Sequence, residues 1–182
     1  MIRKSASLLA LLLLAGCAHP SQDVAPITAI KYAVPSSCNQ PKVIAAFDAQ
    51  VAGSKYVPTD WQPSIGTDLY DVINAKGIAC TYGIQTAEIG GTVMWANDLN
   101  GLWESKKTQW LKDGQVQIDL AGIDETDATI LKEGATGADE MHVWGVNLLY
   151  KGVWIQVNAS FLQNVEEALP IIQSTIDSLT GN

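Results

Sequence analysis

The chain has 182 residues, 47% of them hydrophobic, with 11 Lys and Arg against 19 Asp and Glu, a formal net charge of −8 and six tryptophans. Nucleic acid is held by clustered Lys and Arg, and here the lysines are scattered through an acidic chain, so no nucleic-acid partner is expected. The length suits one domain with a real core rather than two.

Arg3 and Lys4 precede an uninterrupted apolar run over residues 8–15 that stops at Gly16 and Cys17, the layout of a secretory leader. A membrane span needs roughly 20 apolar residues. After Cys17 the chain turns polar at His19, Ser21, Gln22 and Asp23, so the run is too short to persist as a helical anchor. Leu14-Ala15-Gly16-Cys17 resembles the lipobox of bacterial lipoproteins. The resemblance implies that residues 1–16 are a removed signal peptide and that Cys17 carries a diacylglycerol as the first mature residue. The protein would then sit on the extracytoplasmic face of the cell membrane, held through covalent lipid. Losing Arg3 and Lys4 takes the net charge from −8 to −10, which repels an anionic bilayer, so attachment would rest on the lipid and not on a basic patch.

With Cys17 lipidated, Cys38 and Cys80 remain as an even pair in an exported chain. A disulfide is the natural reading in an oxidising compartment, and two separate buried thiols are the alternative.

Residues 17–37 contain Pro20, Pro26 and Pro35 among small polar residues and read as a flexible tether, leaving residues 38–182 as a single domain. Pro41 opens a helix with Val43, Ile44, Phe47 and Val51 recurring along one face up to Gly53. Pro58 and Pro63 mark a loop, and a short helix follows with Leu69, Val72 and Ile73 inward until Gly77. Residues 78–84 and 92–96 alternate as two strands across a turn near 88–91, a hairpin carrying Cys80. Leu99, Leu102, Trp103, Trp110 and Leu111 mark an amphipathic helix, with Glu104, Lys106 and Lys107 assigned to its other faces. Residues 116–120 alternate as a third strand, and 128–133 suits either strand or helical turn. Two β-rich runs, 141–150 and 153–159, flank Lys151-Gly152 and predict a second hairpin. A final helix is capped by Asn164 with Glu167 three residues on, and Pro170 inside it is expected to kink it. The sum is an α+β fold, an antiparallel sheet packed against helices.

Candidate chemistry is sparse. The mature chain offers only His19 and His142, and no Gly-x-Ser-x-Gly elbow, so a nucleophile with an adjacent base is not expected. His142 shares its strand phase with Glu140 and Trp144, but one histidine does not make a metal site, and no metal or cofactor is expected. Asp124, Glu125 and Asp127, and Asp60, Asp68 and Asp71, form two acidic clusters without the spacing of a calcium loop. Solvated loops and helix starts account for them, with a glycosidase-like carboxylate pair as the alternative. Asn158-Ala159-Ser160 matches a glycosylation acceptor but reads as a strand end. Trp103 and Trp110 fall on an apolar stripe and belong to the core. Trp144 and Trp154 alternate against apolar neighbours. They line the second face of the sheet, either covered or as an exposed aromatic platform with His142 for a ligand.

The stretches GIACTYGIQ and GGTVMWA and the terminal amphipathic helix are similar to small lipoproteins of Gram-positive actinobacteria, and the element order resembles the PsbP-like fold. The resemblance covers the leader and roughly residues 38–179. It implies a single membrane with an outward-facing domain, and no catalytic residue carries over from it. The expected function is a non-enzymatic envelope module binding a small ligand or an envelope protein. An envelope-polymer hydrolase using paired carboxylates and an accessory subunit of a membrane complex are the alternatives.

Overall fold

Runs of β-branched and aromatic residues separated by Gly and Asn turns favour antiparallel pairing. The computed structural model describes residues 32–124, 126–134 and 142–181. In chain order the elements are β1 (Tyr32–Ala33), α1 (Pro41–Gln50), β2 (Lys55–Val57), α2 (Asp68–Asn74), β3 (Ile78–Ile84), β4 (Ile89–Asn97) and α3 (Leu102–Lys112), followed by β5 (Val116–Ile118), β6 (Thr126–Gly134), β7 (His142–Tyr150), β8 (Val153–Ala159), α4 (Val165–Ile176) and β9 (Thr180–Gly181). Seven strands form an antiparallel sheet in the order β2-β3-β4-β8-β7-β6-β5, while β1 pairs with β9 in a separate two-stranded ribbon.

Successive side chains in a strand point to opposite faces, and here both faces of the central strands are covered. Cys80, Tyr82, Val93, Trp95, Val146, Leu148, Ile155 and Val157 share a core with Val43 and Phe47 of α1 and Ala168, Ile171 and Ile172 of α4. On the reverse face Ala79, Met94, Ala96 and Trp154 pack with Val72 of α2 and with Trp103 and Trp110 of α3. The fold is therefore α+β, with the antiparallel sheet as the middle of three layers.

Local chemistry explains the element boundaries. Pro41 starts α1, where its missing amide costs nothing. The Thr67 hydroxyl accepts from the Tyr70 amide to cap α2. Asn164 accepts from the Glu167 amide at 3.0 Å, and the Glu167 carboxylate accepts from the Gln163 amide at 2.9 Å. Pro170 lies inside α4, as expected. Lys151 and Gly152 take φ of 48° and 85°, the two positive values that let a two-residue turn follow the twist of the β7–β8 hairpin.

The ambiguous segment resolves, and three others differ from expectation, the first being β4, which begins at Ile89, so the turn expected near 88–91 falls at Gln85–Glu88. The ambiguous segment is strand, because β6 is flanked by β5 on one side and β7 on the other and its amides find partners there. β2 was hidden by its three-residue length and by Pro58, which cannot extend the ladder. Residues 32–37 are not tether, since Tyr32 and Ala33 pair with Gly181 and Thr180 and Pro35 is buried. A two-residue strand has no periodicity to read. Residues 1–31, which include the expected leader, Cys17 and most of the expected tether, lie outside the described residues. Among the described residues, no helix is long and apolar enough to cross a membrane.

Cys38 and Cys80 are joined in a disulfide, with Cα atoms 5.4 Å apart and a sequence separation of 42. It staples the start of α1 to the middle of β3, and the Tyr82 hydroxyl donates to the Cys38 carbonyl beside it. Constraining a loop of that length stabilises the fold by about 4 kcal/mol on chain-entropy grounds. Replacing Cys38 and Cys80 together by Ser is expected to lower the urea-unfolding free energy by that order, and the same loss should follow reduction of the wild-type protein.

Candidate functional site

The reverse face of the sheet is not wholly apolar. At its centre β8 presents Trp154, Gln156 and Asn158 in alternate positions, β7 presents Asn147 and β4 presents Thr92, and the register sets Gln156 between Met94 and Asn147. A cavity of about 330 Å³ opens over this row. Trp61 from the loop before α2 and Leu69 from α2 form one wall, Met94 and Thr92 part of the floor, and Gln115, just after α3, the far side. Gly145 of β7 also borders it.

A hydrogen-bond network underlies the floor. Asn147 Oδ1 accepts from Trp154 Nε1 at 3.0 Å and from Gln156 Nε2 at 2.9 Å, while Asn147 Nδ2 donates to Gln115 Oε1 at 3.2 Å. Asn158 Nδ2 donates to Gln156 Oε1 at 2.9 Å. Gln156 Nε2 also donates to Asp68 Oδ2 at 2.7 Å, and the same carboxylate oxygen accepts from Trp110 Nε1 at 3.0 Å. Buried amides left unpaired would cost about 1–3 kcal/mol each, so this mutual satisfaction fixes their rotamers. Trp61 is held likewise, its indole Nε1 donating to the Ala79 carbonyl at 2.9 Å.

The charges beside the cavity are organised around Lys106. It is 5% exposed, and its ammonium pairs with Asp68 and, at 3.0 Å, with Asp71. Burial alone would lower its pKa, but the hydrogen bonds and charges of Asp68 and Asp71 outweigh that and raise it above the ordinary lysine value. The next residue, Lys107, pairs with Asp127 at 2.7 Å, and Asp127 also accepts from Trp103 Nε1 at 2.8 Å. The expectation that Lys106 lies on a face of α3 other than that of its tryptophans is corrected. Residues 103, 106 and 110 are spaced three and four apart and share one helix face, so Lys106 goes inward with the tryptophans. Asp68 and Asp71 lie in the first turn of α2, the helix start expected for acidic residues, and with Asp127 of β6 they also pair with buried or half-buried lysines.

The aromatic platform is not assembled. Trp154 is 1% exposed, packed with its ring centroid 5.2 Å from that of Trp110, so the covered alternative holds for it. Trp144 pairs in register with Lys132 and Ala159, a position on the opposite sheet face from Trp154, which pairs with Leu149. The cause is the two-residue turn: Tyr150 faces Val153, so the phase of the α1 and α4 side passes from even positions in β7 to odd positions in β8. His142 occupies the first position of β7 opposite Gly134, again in Trp144's phase, and Glu140 lies outside the described residues. Among the described residues no three His, Cys, Asp or Glu side chains come together as a metal would require. The cavity residues themselves escaped the sequence reading. The signal available was the alternation of polar Gln156 and Asn158 with apolar Ile155 and Val157, in a strand too apolar to be an edge.

No protein-family model, curated protein or solved structure matches this chain.

Lys106→Met is expected to destabilise the fold by about 3 kcal/mol at pH 7, since it leaves two carboxylates without their buried counter-ion. Because the folded-state pKa of Lys106 is raised, its contribution is complete below the unfolded lysine value of about 10.4 and is lost as pH climbs through the folded value. Urea titrations should therefore give a wild-type-minus-mutant difference that is flat from pH 7 to about 10 and shrinks only above it.

Proposed function

We propose that this protein is a lipid-anchored module of the cell envelope that binds a small polar ligand in the cavity on the reverse face of its sheet. The observation that carries the reading is the cavity itself, about 330 Å³ and floored by side-chain amides held in place from below. That volume falls within the range of roughly 300–1,000 Å³ usual for small-molecule sites, and the mixture of apolar wall and few placed polar groups is equally usual there. The anchoring half of the proposal rests on the lipobox-like residues ending at Cys17. The Cys38–Cys80 disulfide supports an oxidising compartment.

The hydrolase alternative is less well supported. It needs a carboxylate free to exchange protons, and Asp68, Asp71 and Asp127 are each ion-paired to a lysine.

Two measurements test the two halves. Cys17→Ser is expected to move the protein from the detergent phase to the aqueous phase in phase partitioning; unchanged partitioning would refute lipid attachment there. Native mass spectrometry of full-length protein gently extracted from its host is expected to show a discrete small adduct. Loss of that adduct in a Trp61→Ala protein that still unfolds cooperatively in urea would locate it in the cavity, and retention would refute the cavity as the site.

A further inference from the structure

The chemistry of the cavity walls narrows the ligand, on the reading that the cavity is a binding site. We infer that it takes an uncharged, hydroxyl-rich ligand of about one sugar ring.

Charge is the first constraint. Among the described residues, Asp68 is the one ionisable side chain on the lining, and neither of its oxygens is idle: one faces the Lys106 ammonium, the other accepts from Trp110 and Gln156. A cationic ligand would have to compete with a buried lysine for it. An anionic ligand would meet no lysine, arginine or histidine among those lining residues, and the carboxylate would repel it. Either ion would lose hydration without gaining a counter-charge, so charge of both signs is disfavoured.

Hydrogen-bonding pattern is the second. The amide of Asn158 spends its Nδ2 on Gln156, and its Oδ1 has no partner among the described residues. The Thr92 hydroxyl, in register with Asn158 on the neighbouring strand, likewise has none, so an acceptor and a group that both donates and accepts stand side by side at the cavity floor. A sugar hydroxyl, itself donor and acceptor, satisfies such a pair in either sense.

Shape and polarity of the wall are the third. Trp61 is half-buried and its indole is tied to the Ala79 carbonyl, so the ring is oriented before any ligand arrives. With Leu69 it forms an apolar wall facing the amide floor, to which Met94 adds an apolar patch. A pyranose has matching halves, a C–H face that packs on the electron-rich face of an indole and a rim of hydroxyls.

The test holds the ring constant and varies only charge. Full-length protein in a polyoxyethylene detergent, which carries no sugar headgroup, is titrated with glucose, N-acetylglucosamine, glucosamine and glucuronate and read by saturation-transfer NMR. The expected result is saturable binding of at least one neutral sugar. The cation and the anion should bind at least about tenfold more weakly, the ratio that corresponds to one unmet charge costing about 1.4 kcal/mol. Thr92→Val should weaken the neutral sugar by roughly three- to tenfold with an unchanged urea midpoint, and Asn158→Ala should weaken it as much while lowering the midpoint, because Gln156 Oε1 loses its donor. Equal or tighter binding of glucosamine or glucuronate overturns the inference. Silence from all four sugars, beside a cavity-dependent adduct in the native mass spectrum, overturns the saccharide class and leaves the binding site standing. Silence in both experiments overturns both.

Discussion

β4, β7 and β8 lie at the middle of a sheet that helices cover on both sides, so a polar side chain under that cover, such as Asn147 or Gln156, has no bulk water to turn to. On the α1 and α4 side the problem does not arise, because that face is built from aliphatic and aromatic residues. On the α2 and α3 side it is met by reciprocity. Asn147 and Gln156, both nearly fully buried, donate and accept among themselves, Trp154, Gln115, Asn158 and Asp68. A fully connected polar network inside a protein is rigid, since moving one member strands another. The cavity sits where that network reaches the edge of its cover, with partnered amides behind and unpartnered groups in front.

The same network docks the helices. α2 begins with Asp68 and, one turn on, Asp71, where the positive end of the helix already favours carboxylates. Both are also held by Lys106 from α3, while Trp110 of α3 donates to Asp68 and Trp103 to Asp127 of β6. Three indoles, Trp103, Trp110 and Trp154, pack edge to face or tilted with centroids 5.2 Å apart in each contact. Each buries a large apolar body and delivers its N–H to a carboxylate or amide. Apolar burial and charge pairing thus act on the same residues. The position of α2, which supplies one wall of the cavity, depends on a lysine in a different helix.

Much of the fold was legible in the sequence because its signals are local. Pro41 and Asn164 mark helix starts, Lys151-Gly152 marks a tight turn, and the alternation of residues 78–84 marks a strand, all decided by backbone sterics and neighbours within a few positions. The pairing of Cys38 with Cys80 was legible by elimination among three cysteines. The candidate site was far less so. Lys106 could have been placed inward from its spacing between Trp103 and Trp110, but its charge argued for solvent, and only Asp68 and Asp71, 38 and 35 positions earlier in the chain, reverse that preference. Trp144 and Trp154 were set on one face because the phase shift across a two-residue turn is a property of the paired hairpin and not of either strand alone.

The amino-acid sequence by itself determined the kinds of most elements, the α+β class and the cysteine pair, since propensity, caps and periodicity are short-range. The tertiary structure alone decided which sheet face is polar, which charges are buried and where the cavity opens. Those outcomes depend on strand register and on partners dozens of residues away, and burial is defined only once every layer is in place.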